Sequence, residues 1–347
     1  MTENILEFGT AKAGPGEKGT GYIKVGELSD GSPVNMPVII LNGKNPGTKL
    51  LVWALEDADE YPGALGALDA CNNILPDMLD KMNGSVVFLP NTNPGAFRGN
   101  PFGGGMRNSP LDIDGGARLP SLHARANPYG KHTNQLAYYI KKVTEAYDPD
   151  VHIRYHGCKQ MYGWDRVLYT ESPAGSPLDE LARACVTKPG EMVMLCPKRR
   201  GEPKVRPLAV SMESNGGDNG VGNGYNGDAM RDGLLNAMRH LKMIPGKVIK
   251  VDKIQYVTYQ RDERPDGNMS SGGITTQRGG FFTSLVEVTD KVKKGQVVGV
   301  VKNFFGEVVE EIKSPIDGLV LSRYIEAPHI GSGQWRVFAI AAPTEYR

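Results

Sequence analysis

KLLVWALEDADEYPGALGAL, residues 49–68, joins a strand-like apolar run to a helix rich in glycine and alanine. The turn between them holds Glu56, Asp57, Asp59 and Glu60. Carboxylates packed this densely serve as a metal site, as an acid–base pair or as a solvated charged turn, and the neighbouring segments have to decide which.

Outward from this stretch, strand and helix patterns alternate. A helix from about Pro62 to Lys81 is followed by the strand SVVFLP, a helix over NQLAYYIKKVTEA, and the strand VHIRYH. Then come a helix over SPLDELARACV, the strand PLAVSME and a helix over GDAMRDGLLNAMRHLKM. Such alternation predicts an α/β fold, a mostly parallel sheet with helices on both faces. Upstream, GYIKVGEL and NMPVIILNG have strand composition between glycine and proline turns, which reads as a β-hairpin entering the sheet.

Ligands of open α/β sheets bind beyond the carboxyl ends of the strands. The chemically suggestive residues fall at such ends: Asp57 and Glu60 after the first strand, Asn91 to Arg107 after the second, His156 on the third and Glu213 on the fourth. Their convergence on one edge is a stronger signal than any one of them.

Beyond about residue 246 the pattern becomes all-β, with FFTSLVEV, KKGQVVGVVKN, EVVEEIKSPIDGLVLSRY and WRVFAIAA separated by turns. Two domains are expected: residues 1–245, α/β and catalytic, and residues 246–347, a β-sandwich of biotinyl/lipoyl-like type. The turn PIDG lacks a carrier lysine, so a swinging-arm role is set aside.

Bulk properties narrow the partners. Forty Lys and Arg nearly cancel 39 Asp and Glu, for a net charge of +1, and no basic run appears. A nucleic-acid or anionic-membrane surface therefore lacks its electrostatic signature. No apolar run reaches the length of a membrane span, and MTENILEFGTAKAG has no basic segment followed by an apolar one. A cytoplasmic location and a small-molecule partner are expected. Cys71, Cys158, Cys185 and Cys196 have no CxxC spacing and read as reduced thiols.

The order of segments resembles the succinylglutamate desuccinylase/aspartoacylase family of zinc carboxypeptidase-like hydrolases over nearly the whole chain. Asp57 to Glu60 followed by YPG matches that family's His-Gly-x-Glu segment. NTNPGAF (91–97) resembles its asparagine–proline loop, and MRNSPLD with GGAR its arginine-bearing loop. IRYHG resembles the strand ending in Asp-Leu-His, SMESNGG the strand with the catalytic glutamate, and GGFFTSLVEVTDKVKKGQVVG with SPIDGLVLSRY the C-terminal β-domain. Three positions depart from the pattern: Asp57 replaces a histidine, Ala117 an asparagine and Arg154 an aspartate.

The resemblance implies one divalent metal ion held by Asp57, Glu60 and His156. Zinc is the first expectation, and the extra carboxylate makes manganese or another oxygen-preferring ion the alternative. Glu213 becomes the general base and Arg107 the group that polarises the scissile carbonyl. Arg118 becomes the contact to a substrate carboxylate, and Asn93 a further substrate-binding residue. Arg154 lies on the His156 face of its strand, in position either to line the substrate pocket or to pair with Asp57. His152 and Cys158 flank the same strand and read as structural.

The activity implied is a metal-dependent amidohydrolase releasing an acyl group from an N-acyl amino acid or related small carboxylate. Two alternatives stand beside it: metal-free chemistry in the same pocket, as a lyase, isomerase or other hydrolase, and a catalytically silent small-ligand-binding protein. A β-domain appended to an α/β domain also suggests a homo-oligomer.

Overall fold

The computed structural model describes residues 4–28, 30–56, 60–95, 126–157, 161–163, 166–196, 207–214, 227–258, 273–324 and 336–346. In chain order the first elements are β1 (Leu6–Phe8), β2 (Ala11–Ala13), β3 (Glu17–Glu27), β4 (Pro33–Asn42) and β5 (Asn45–Trp53). Helix α1 (Tyr61–Asp69) leads to β6 (Asn83–Leu89), then α2 (His132–Tyr147), β7 (Val151–Gly157), β8 (Met161–Gly163) and β9 (Arg166–Thr170). Helix α3 (Pro177–Ala184), β10 (Met192–Cys196), β11 (Leu208–Ser214) and α4 (Gly227–His240) follow. The elements described after it are strands: β12 (Gln255–Thr258), β13 (Gly273–Thr275), β14 (Phe281–Ser284), β15 (Lys291–Val292), β16 (Val297–Lys302), β17 (Val308–Lys313), β18 (Gly318–Tyr324) and β19 (Arg336–Tyr346).

The central sheet has the order β3-β4-β6-β5-β7-β11-β9-β10-β12-β19. Neighbours β6–β5, β5–β7, β7–β11, β9–β10 and β10–β12 are parallel, while the β3–β4 hairpin, β4–β6, β11–β9 and β12–β19 are antiparallel. The chain is thus mixed α/β with a largely parallel centre. One face packs Leu50, Val52, Ile153, Tyr155, Val210 and Met212 against α1, α3 and α4. The other packs Leu51, Trp53, Val87 and Leu89 against Leu136, Ile140 and Val143 of α2. Both faces of β5 are covered, which is why its apolar run is continuous rather than alternating.

Two apolar runs outside the expected pattern, RVLYT and MVMLC, form β9 and β10. Strand β9 runs antiparallel to β11 and parallel to β10, so the sheet changes direction there. Strand β12, on the far side of the boundary expected near residue 245, adds parallel to β10 and receives β19. Among the described residues of 273–346 the regular elements are all strands, and Ile274, Phe282, Val298, Val301, Ile312, Val320, Phe338 and Ile340 form a core between the β14-β16-β17 sheet and β13, β18 and β19.

The helix expected over residues 62–81 breaks into three pieces. Helix α1 gives way to a π turn at Ala70–Ile74 and a 3-10 stretch at Pro76–Lys81. The cause is Pro76, which has no N–H for a regular turn and clashes with the carbonyl four residues earlier. Leu75 closes the π turn, its N–H donating to the Ala70 carbonyl at 2.9 Å.

Among the described residues, no helix is long and apolar enough to cross a membrane.

Candidate functional site

The site lies where β5, β7 and β11 end together. Trp53 pairs with Arg154 in the β5–β7 ladder, and Glu213 pairs with His156 in the β11–β7 ladder. Alternation then puts Trp53, His152, Arg154, His156 and Glu213 on one face, the face that carries α2 lower down.

The turn after β5 is shaped by Leu55, a buried non-glycine residue at φ 52. Left-handed backbone is costly for such a side chain, and its surroundings hold it there. Ala54 N donates to the Leu89 carbonyl at 3.1 Å, and Thr92 N and Oγ1 both donate to the Ala54 carbonyl at 3.1 Å. Asn93, fully buried, donates from Nδ2 to the Glu56 carbonyl at 3.1 Å. The asparagine–threonine–asparagine segment after β6 therefore serves as the backing of the carboxylate turn.

Glu60 is the N-cap of α1, where the helix dipole favours a carboxylate. Its position depends on glycine. A Cβ on Gly63 would stand 2.3 Å from the Tyr155 Cβ, and one on Gly66 would stand 2.3 Å from the Gly227 carbonyl oxygen. These two glycines let α1 lie directly on β7 and α4. Gly157, next to His156, leaves room for the Glu60 side chain, whose Cβ and Cγ lie 3.4 Å from where a Cβ would be.

The result is a buried contact between His156 Nδ1 and Glu60 Oε2 at 3.0 Å, with Glu60 only 3% exposed. The other ring nitrogen, His156 Nε2, is 3.9 Å from Glu56 Oε2. Glu56 in turn accepts a hydrogen bond from Arg154 Nη2. The Arg154 guanidinium lies over Trp53, with Cζ 5.8 Å from the ring centroid, and His152 stacks edge-on against the same ring at 4.0 Å. Four charged groups of alternating sign thus run from Arg154 through Glu56 and His156 to Glu60. Burial works against the imidazolium, but the hydrogen bond and charge of Glu60, with Glu56 adding to them and Arg154 opposing, push His156 up to about 9.

The structure brings together Glu60, His156, Arg154 and Asn93 of the sequence-predicted set, with Glu213 in register beside His156. Asp57, Arg107, Arg118, Ala117 and Cys158 lie outside the described residues. So does the expected pairing of Arg154 with Asp57; the described partner of Arg154 is Glu56. Sequence reasoning assigned no role to Glu56 or Trp53. Nothing local separates Glu56 from its three neighbouring carboxylates, and Trp53 reads simply as strand core.

A carboxylate and an imidazole nitrogen that meet at a strand end are a donor set suited to a divalent transition ion, and an ion there competes with the proton the pair holds. Glu60 and His156 fit such an ion, and Asp57 is the third expected donor. Among the described residues no group of three or more His, Cys, Asp or Glu is arranged to hold a metal.

No family model matches the chain, and no curated protein matches it in sequence. Solved structures do. An aspartoacylase family protein from Mesorhizobium loti superposes with a TM-score of 0.71 at 17% identity, covering 99% of both chains. A succinylglutamate desuccinylase from Silicibacter sp. gives 0.73 at 18% identity, covering 94% of this chain and 95% of that one. The product-bound ectoine utilization protein EutE (DoeB) from Ruegeria pomeroyi gives 0.72 at 18% identity over the same shares. At these identities the likeness is one of architecture, and this chain has the fold of the aspartoacylase and succinylglutamate desuccinylase structures, from the N-terminal hairpin to the last strand.

Proposed function

We propose that this protein is a hydrolase of the aspartoacylase and succinylglutamate desuccinylase family, removing an acyl group from the nitrogen of an amino acid or a related small carboxylate in the cytoplasm. The observation that carries this reading is the meeting of Glu60 and His156 at 3.0 Å with Glu213 in register beside the histidine. The fold supports it, because the three structures compared are an aspartoacylase family protein, a succinylglutamate desuccinylase and an ectoine utilization protein.

Glu60 and His156, with Asp57, would hold one divalent ion, zinc first and manganese second. When bound, that ion supplies a Lewis acid and an activated water at neutral pH. Glu213 takes the proton from the attacking water and returns it to the departing amine. Arg107 steadies the negative charge that builds on the carbonyl oxygen, and Arg118 binds the substrate carboxylate through a bidentate contact. Asn93 acts through the turn it holds, since its amide is given to the Glu56 carbonyl.

A panel of N-acetyl and N-succinyl amino acids tests the reading with metal-replete protein. Glu213→Gln is expected to lower turnover by about 10²–10⁴-fold while metal content stays unchanged, the usual worth of a general base. Wild-type turnover in that variant, or no turnover of the panel by the wild type, contradicts the assignment. The same Arg154–Glu56–His156–Glu60 charge alternation favours a second reading, a metal-free pocket that binds small carboxylates. Saturable binding of the panel without turnover is its signature.

A further inference from the structure

We infer that Glu56 is the positioning carboxylate of His156, held in place by Arg154 and Asn93. This rests on the hydrolase reading and assigns residues that reading leaves without a role.

A histidine that ligates a metal through one ring nitrogen needs its other nitrogen oriented by an acceptor, and that outer partner fixes both ring angle and tautomer. His156 Nδ1 faces Glu60 at 3.0 Å, so the orienting group has to lie on the Nε2 side. Glu56 Oε2 is the carboxylate oxygen there, at an ion-pair distance of 3.9 Å. The same oxygen accepts from Arg154 Nη2, so the guanidinium and the imidazole meet at one carboxylate oxygen and Arg154 fixes where that oxygen stands.

Glu56 is fixed at both ends. Its carbonyl receives the Asn93 amide at 3.1 Å, and the left-handed Leu55 before it sets the direction of the chain. Arg154 is fixed as well. It stands in register beside Trp53, its guanidinium lies over that ring, and its Nε is buried with no hydrogen-bond partner among the described residues. The Glu56 carboxylate and the Trp53 ring are thus the two contacts that hold the guanidinium at this end of the strand. The arginine that sits two residues before His156 accordingly works through Glu56, a carboxylate supplied by the end of the neighbouring strand. Glu56, Arg154 and Asn93 are positioning residues in this arrangement; none is asked to touch the reacting atoms.

The test is zinc affinity, measured on metal-stripped protein by competition with a chromophoric chelator, with KM and kcat on N-acetyl amino acids alongside. Glu56→Gln keeps the shape and removes the charge. It is expected to weaken zinc about 10–100-fold, the cost typical of losing an outer-shell partner of a metal ligand. Arg154→Met is expected to weaken zinc in the same range, and Arg154→Lys to recover most of it. The double variant should be no weaker than the worse single one, because both act through one contact. Melting of the metal-free variants at the wild-type temperature separates this from a general loss of structure. Wild-type zinc affinity in Glu56→Gln overturns the inference, and so does a raised KM with unchanged zinc affinity in Arg154→Met, the mark of direct substrate contact. A wild-type protein that binds neither zinc nor manganese overturns the hydrolase reading and this inference together.

Discussion

Glu56 and Glu60 are identical in kind and four positions apart, yet packing gives them different surroundings. Glu60 is nearly sealed at the head of α1 against Gly157, whereas Glu56 keeps 23% of its side chain exposed and faces a guanidinium. The presence of acidic chemistry after β5 was legible in the sequence; the division of labour was not, since it depends on a left-handed residue and an asparagine from another strand's end. Cysteine shows the same dependence on surroundings. Burial pushes the thiols of Cys71 and Cys185 up to about 12. Both should resist a thiol reagent in the native protein at pH 8 and react once urea unfolds it. Each raised thiol contributes stability that is complete below about pH 9 and is lost as the pH climbs towards 12, because only the unfolded chain then releases the proton. A urea midpoint that stays level from pH 8 to 11 contradicts this.

At the scale of elements, hydrophobic pattern placed β5, β6, β7, β11 and the helices α2, α3 and α4 within a few residues of where they stand. Helix α3 shows why: Ser176 caps it by accepting from Asp179 N at 3.3 Å, and Pro177 opens it, a start signal readable from the chain alone. Strands β9 and β10 escaped because five-residue apolar runs carry little periodicity and β9 enters antiparallel in a sheet expected to be parallel. The tight seat of α1 was also hidden, since glycines at 63 and 66 weaken a helix on propensity and pay off only through contact with β7 and α4. Gly63→Ala is expected to cost about 1–3 kcal/mol, as overpacking does, because the new methyl meets the Tyr155 Cβ rather than a flexible tip. The same displacement moves Glu60 off His156, so metal affinity should fall with the melting temperature. A Gly63→Ala protein as stable as the wild type contradicts the close α1–β7 approach.

For the whole molecule, the mixed α/β fold class was readable from alternation, and the strands described after residue 273 from their turns and short β runs. The continuity between them was not. Strand β12 joins the α/β sheet and then carries β19, so the two halves share one sheet among the described residues, a pairing between residues some 90 apart that no local pattern encodes. Placement of the candidate residues Arg154, His156 and Glu213 at the carboxyl ends of parallel strands was legible because those ends are where helices and loops leave the sheet and side chains from separate segments can meet. The central claim is that Glu60 and His156 are there to hold a metal. Metal content per chain, measured by mass spectrometry on protein purified without chelators or added ions, tests it most directly, with Glu60→Ala and His156→Ala measured alongside. Near-stoichiometric zinc or manganese in the wild type, lost in both variants, is the predicted result. A wild type that carries no metal and takes none up on reconstitution would contradict it.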